Sequence, residues 1–273
     1  MEPFLAAAVQ LTSGSDLEAN LHNADTLVRR AAARGARLVA LPELFAWRGD
    51  RAAETTAASP VPGRVSEFLR ALAADLAIVL LGGSFLERGA DPTKACNTAL
   101  AIDTDGTIRG TYRKIHLFDV DLPGRVSIRE SDTRHPGHDV VTAPTAVGII
   151  GLSVCYDLRF PELYRALVGA GATILAVPAS FTFFTGTAHW EALLRARAIE
   201  NQAYVIAPNQ TGTGPSGIAD YGNSMIVDPW GTVLARAADG ERIILAEIDP
   251  AYVTRVRAEM PCQRHARLAS PPS

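Results

Sequence analysis

Continuous apolar runs and helical-period stripes take turns along this chain, and their order recurs in its second half. The run "FLAAAVQL" (4–11) is apolar at nearly every position, as a strand covered on both faces would be. Asp16 then stands as an N-cap before Leu17, Leu21, Ala24, Val28 and Ala31, which recur at helical spacing, with Gly35 as the stop. "ARLVALPE" (36–43) is the next strand; Pro42 ends it and Glu43 lies just beyond. A second helix is expected over 63–76 and a third strand in "AIVLLGG" (77–83). "NTALAIDTDGTIRGTYRK" (97–114) holds two alternating runs about Asp105-Gly106, a strong hairpin signal.

In the second half a hairpin-like segment ends at Cys155, Pro161 opens a helix, and "ATILAVPAS" (172–180) is a strand. A long helix is expected over roughly 189–201, followed by the strand "AYVIAPN" (203–209). "GNSMIVDPWGTVLARA" (222–237) and "ERIILAEI" (241–248) add antiparallel runs, and a Pro-rich tail is expected to fray from about 262. Helices can cover one face of each sheet, so the other face must meet a second sheet. The pattern therefore predicts an α/β fold, a four-layer α-β-β-α sandwich; a plain doubly wound sheet fits the many hairpins less well. No low-complexity linker divides the chain, so residues 1–273 are expected to form a single domain.

Composition narrows the function. A net charge of −3 with dispersed arginines gives no footprint for nucleic acid. The N-terminal apolar run lacks a basic flank and is too short to span a bilayer, so no membrane partner is expected. Three widely spaced cysteines, Cys96, Cys155 and Cys262, with no CxxC, indicate free thiols in a reducing, cytoplasmic setting. His116, Asp119, His135 and His138 fall in one loop-like region without metal-ligand spacing, so they read as solvated residues, and no metal or other cofactor is expected.

Glu43, Lys114 and Cys155 each follow a predicted strand, where ligands gather in α/β proteins. Singly, they read as a loop carboxylate, a surface cation and a small buried hydrophobe. Cys155 differs in ending its apolar run immediately before a helix start, which favours a thiolate and offers free N–H donors. Together the segments "LPELF" (41–45), "YRKIHLFDVD" (112–121) and "VCYDLRFPELYR" (154–165) resemble the three signature segments of the nitrilase superfamily of carbon–nitrogen hydrolases. "HWEALLRARAIENQAYVIAPNQTG" (189–212) and "YGNSMIVDPWG" (221–231) extend the resemblance over nearly the whole chain.

That resemblance implies the sandwich fold, a Glu43-Lys114-Cys155 triad, a second glutamate at Glu130, and a homodimer or higher homo-oligomer acting on a small-molecule amide. The roles follow from the chemistry. A thiol of ordinary pKa needs a base beside it, Glu43 can move the proton, and Lys114 can meet an oxyanion with the Tyr156 backbone N–H. "CYDLRF" looks like the branch containing omega-amidase and deaminated glutathione amidase, with N-carbamoyl amino-acid hydrolases as a further alternative. There Arg159 matches an arginine that binds a substrate carboxylate, although an ion pair with Glu162 or Asp157 is an equal reading of the residue itself. Phe118 and His189, with Phe183 and Phe184, are candidate pocket residues, and Trp190 is expected to pack. Two rivals are a Cys-His enzyme using His116 or His189, and a binding protein without chemistry.

Overall fold

The computed structural model describes residues 1–268 and has the four-layer α-β-β-α architecture. In the first sheet, strands Phe4–Gln10, Ala36–Ala40 and Val79–Leu81 run parallel. Arg242–Ile248 flanks them antiparallel on one side, and Ala95–Ile102 does so on the other. Ile108–Arg113 pairs with Ala95–Ile102 through the expected hairpin, whose turn uses Gly106 at φ 78°. The second sheet has a parallel centre of Gly148–Leu152, Ile174–Ala176 and Tyr204–Ala207, with antiparallel neighbours Thr142–Thr145, Met225–Val227 and Val233–Arg236.

Strand alternation sorts the first sheet's side chains into two cores. Ala6, Ala8, Leu38, Ala40, Ala99 and Ala101 join the core shared with the second sheet, where many alanines let the sheets approach closely. Ala7, Val9, Val39, Leu80 and Leu100 face helices Leu17–Ala32 and Arg64–Leu76 instead. The first of these helices starts as expected, Asp16 accepting the Ala19 N–H at 3.0 Å. Full burial of Leu21, Leu27 and Val28 stabilises that layer by about 1.5–3 kcal/mol each. Helices Pro161–Gly169 and Phe183–Asn201 cover the second sheet.

Three expectations change. The long helix begins at Phe183, six residues before 189. Gly186 interrupts its helical signal, yet a Cβ there would lie 2.4 Å from Tyr221, so close packing decides that residue. The segment after Lys114 holds a two-stranded ribbon, Asp119–Leu122 with Val126–Arg129, that was expected to be loop. Residues Cys262–His265 form a short helix rather than a frayed tail, and the Gln263 amide donates to the Asn201 carbonyl at 3.0 Å. The Pro-rich end, 269–273, lies outside the described residues.

What the fold does for the site is bring together the carboxyl ends of both parallel centres. The turn after Ala36–Ala40 carries Glu43, with Leu44 at φ 53°. It is pinned from the neighbouring strand end: Ser84 N–H donates to Pro42 O, Phe45 N–H to Ser84 O, and Leu44 N–H to Ser84 Oγ. Gly83 must be glycine here, because it lies at φ 55° and a Cβ would approach the Pro42 carbonyl oxygen to 2.1 Å. From the second sheet, Gln210 reaches across to donate to the Glu43 carbonyl at 2.8 Å. Gly83→Ala should therefore destabilise the protein by about 1–3 kcal/mol through overpacking against a backbone atom. Urea denaturation checks this, and stability equal to the parent would show that the Glu43 turn is not fixed from this side.

Candidate active site

The cleft at the seam of the two sheets is lined by Glu43, Lys114, Glu130, Cys155, Tyr156, Phe118 and Arg159 among others. Lys114 follows strand Ile108–Arg113, its backbone N–H donating to the Asn97 carbonyl at 2.9 Å. Its ammonium is 1% exposed and donates to Glu43 Oε1 at 3.0 Å and Glu130 Oε2 at 2.9 Å. Glu43 is held by three donors: Lys114 and Asn97 Nδ2 (2.8 Å) on one oxygen, and the Ser180 backbone N–H (2.8 Å) on the other.

Burial alone would lower the Lys114 pKa, but Glu130 and Glu43 outweigh it and push the ammonium's pKa above the usual lysine range. Burial would likewise raise Glu130, yet Lys114 and Arg134 bring it down to about 2. Arg134 continues the chain of charges, pairing with Glu130 and, at 2.6 and 3.0 Å, with the buried Glu54. Desolvation pushes Cys155 the other way. Burial and then Glu43 hold its thiol well above the ordinary range, Lys114 only partly opposing them. The lowering expected at a helix start is therefore outweighed by burial.

Cys155 opens a short 3-10 turn, Cys155–Arg159, at φ 50°, and its N–H donates to the Pro178 carbonyl at 2.9 Å. The Tyr156 N–H, next in that turn, has no backbone acceptor in another element among the described residues. Asp157, fully buried, fastens the turn: it accepts from Val154 N–H (2.8 Å), Tyr112 O–H (2.7 Å) and His116 N–H (3.1 Å). One carboxylate thus ties the Cys155 turn to the backbone that carries Lys114.

Arg159 has no carboxylate partner among the described residues. Asp157 is taken by His116, Tyr112 and Val154, and Glu162 is exposed, so neither expected ion pair forms. The Arg159 guanidinium lies over the Phe181 and Tyr156 rings, 5.2 and 5.7 Å from their centroids, and lines the cleft. Phe118 meets Tyr156 edge-on at 4.9 Å.

With this geometry in place, comparison with known proteins is direct. The carbon-nitrogen hydrolase family model matches residues 5–258. The chain belongs to the carbon-nitrogen hydrolase family. A relative named deaminated glutathione amidase, from Synechocystis, is 42% identical over 97% of this chain and 98% of its own length. Nit3 of Saccharomyces cerevisiae, described as a member of branch 10 of the nitrilase superfamily, superposes with TM-score 0.86 at 35% identity over 95% of each chain. A Glu-to-Gln mutant of the amidase from Nesterenkonia sp. AN1, whose structure shows the result of Michael addition of acrylamide at its active-site cysteine, superposes with TM-score 0.79 at 26% identity, covering 94% of this chain and 98% of that one.

Several expected residues of this carbon-nitrogen hydrolase stand elsewhere. His189 is exposed and does not line the cleft; its Nδ1 lies 3.1 Å from Arg159, which it props from outside. Phe183 and Phe184 are exposed, and Phe181 takes the wall position. His116 stacks on Phe160 at 3.6 Å and binds Asp157, so it does not serve the thiol. His135 pairs with Asp91, and His138 is exposed. Trp190 packs as expected, fully buried. The sequence reading missed Asn97, Ser180, Arg134 and Glu54. Only Asn97 left a signal, as a polar residue heading the otherwise apolar run "NTALAID".

Removing Arg134 strands Glu130 and Glu54 in the interior, so Arg134→Leu should cost about 3–5 kcal/mol near pH 7. Glu130 has a depressed pKa in the folded state, so its stabilisation is complete above the unfolded value of about 4.3 and is lost as pH falls toward about 2. The gap between parent and variant should therefore narrow below about pH 4. Urea denaturation across pH measures it, and a gap independent of pH would contradict the ionised chain.

Proposed function

We propose that this hydrolase cleaves the carbon–nitrogen bond of a small carboxylate-bearing amide through a cysteinyl thioester, with a substrate of the deaminated glutathione type. The observation that carries the proposal is the Lys114 ammonium bridged between Glu43 and Glu130 in the cleft that also holds Cys155. An ammonium so placed is useful where negative charge develops, and a cysteine beside a fixed carboxylate suits acyl transfer. The name of the Synechocystis relative and the acrylamide adduct of the Nesterenkonia amidase support the same reading.

In the proposed reaction Glu43 takes the Cys155 Sγ proton as sulfur attacks the amide carbon. The high thiol pKa means that transfer accompanies attack instead of preceding it. The carbonyl oxygen becomes an oxyanion that accepts from Lys114 Nζ and the Tyr156 N–H. Glu43 then passes its proton to the departing nitrogen, which leaves as ammonia from a primary amide or as the amine from a substituted one. Water, deprotonated by Glu43, attacks the thioester carbon, and the thiolate leaves and regains a proton. Glu130 acts on Lys114, holding its ammonium toward the cleft. Arg159, unmatched by any acid among the described residues, grips the substrate carboxylate with its guanidinium fork. The proposal takes the chain as one catalytic domain. It extends to a cytoplasmic homodimer, for which the free state of Cys96, Cys155 and Cys262 supports only the reducing compartment.

Mass spectrometry after mixing with a slowly hydrolysed amide should find an acyl adduct on Cys155. Glu43→Gln and Lys114→Arg should each lower kcat/KM at least about a hundredfold with the fold retained. An adduct at Cys96, or near-parental rates in either variant, would defeat the triad.

For Arg159→Lys, KM should rise about ten- to a hundredfold for glutaramate and little for butyramide, which lacks the carboxylate. Equal effects on both, with a lowered melting temperature, would mark Arg159 as purely structural.

A further inference from the structure

The cleft holds a second under-used arginine, on the other sheet's side. Arg48 follows Glu43 in the loop from the first sheet and is 11% exposed at its side chain. Its Nη1 donates to Asp220 Oδ2 at 2.7 Å, and among the described residues its guanidinium has no other acceptor. Two other buried arginines are better matched, each making three hydrogen bonds. Arg134 binds Glu54 twice and Glu130 once, and Arg197 binds the Leu158 carbonyl twice and Glu200 once. A guanidinium has five N–H donors and desolvating it is costly, so unmatched donors in a pocket wall favour an arriving anion.

Arg48 is also held still. Asp220 is 1% exposed at its side chain, and its second oxygen accepts from Ser180 Oγ at 2.6 Å. The turn at Gly214 closes over the guanidinium, a Cβ at 214 lying 2.7 Å from Nη2. Pro215, Ser216 and Ile218 of that turn line the same cleft.

The hydrogen bonds tie Arg48 to Glu43. Ser180 uses its N–H for Glu43 Oε2 and its hydroxyl for Asp220, so Arg48 is linked through Asp220 and Ser180 to Glu43. Glu43 is the group that hands the proton to the departing nitrogen. Arg159 belongs instead to the Cys155 turn, beside the carbon that is acylated. We infer that Arg48, oriented by Asp220, binds a carboxylate on the leaving-amine half of the substrate, so that the enzyme favours amides of amino acids or short peptides over simple amides. The inference rests on the amidase reading above and deepens it.

Three amides sharing one acyl half test it: glutaramate, N-glutaryl-ethylamine and N-glutaryl-glycine. The quantity read is the ratio of kcat/KM for N-glutaryl-glycine to that for N-glutaryl-ethylamine, which cancels losses of folded enzyme. The parent should favour the glycine amide about ten- to a hundredfold. Arg48→Leu should bring the ratio near one, and Arg48→Lys should keep part of it, as a point charge without the fork would. No preference in the parent, or an unchanged ratio in Arg48→Leu, would overturn the inference while cleavage of glutaramate left the amidase reading standing. Failure of the parent to cleave any of the three would remove that reading, and this inference with it.

Discussion

One buried ammonium organises this molecule's interior chemistry. Lys114 has almost no contact with water, and it can stay charged only because Glu43 and Glu130 lie within 3.0 Å on either side. An unpaired ammonium there would be prohibitively desolvated, so the carboxylates are conditions of the fold as much as of the site. The alternation continues through Arg134 to Glu54, which leaves this chain of three carboxylates and two cations with one surplus negative charge. That surplus bears on Cys155. Desolvation raises the thiol's pKa, and a second anion beside Glu43 is unfavourable as well, so both act to keep the proton on the sulfur. A cation next to a cysteine does not by itself make a thiolate; what matters is how much of its charge is already matched.

The same constraint explains why the site needs both sheets. Glu43 and Lys114 come from the first sheet, and Cys155 and the Ser180 N–H that holds Glu43 come from the second. Polar side chains cross the seam, among them Gln210 to the Glu43 carbonyl, Asp157 to Tyr112 and His116, and Asp220 to Arg48. Each is buried and satisfied, the condition under which a polar network rigidifies a core. The alanine-rich contact between the sheets supplies close packing, and these links set the relative position of Glu43, Lys114 and Cys155.

Much of this could be read from the sequence, for definable reasons. Apolar runs as long as "FLAAAVQL" demand cover on both faces, which dictates layers, and Asp16, Pro161 and Asp105-Gly106 mark local boundaries by local chemistry. Glu43, Lys114 and Cys155 fall after strands, but that position alone left each with a bland reading, and only the resemblance of their segments to those of the nitrilase superfamily joined them. What stayed hidden depended on distant partners. Gly186, which masks the early start of helix Phe183–Asn201, is explained by its contact with Tyr221, and the state of Arg159 rests on Asp157 being engaged by residues some forty positions earlier in the chain. His189 beside "WEALL" gave no sign that it would prop an arginine from outside the cleft. The protonation state of the thiol was the plainest such case, since helix-start position predicted a lowered pKa and burial reversed it.

The central claim is that Cys155 rests as a neutral thiol and loses its proton only as substrate is attacked. A titration of thiolate ultraviolet absorbance in a Cys96→Ser, Cys262→Ser background measures it directly, since Cys155 is then the sole thiol. The account predicts no thiolate signal until the pH passes the ordinary thiol value of about 8.5. A thiolate already formed near neutral pH would contradict it and would mean that Lys114 forms a resting ion pair with the sulfur.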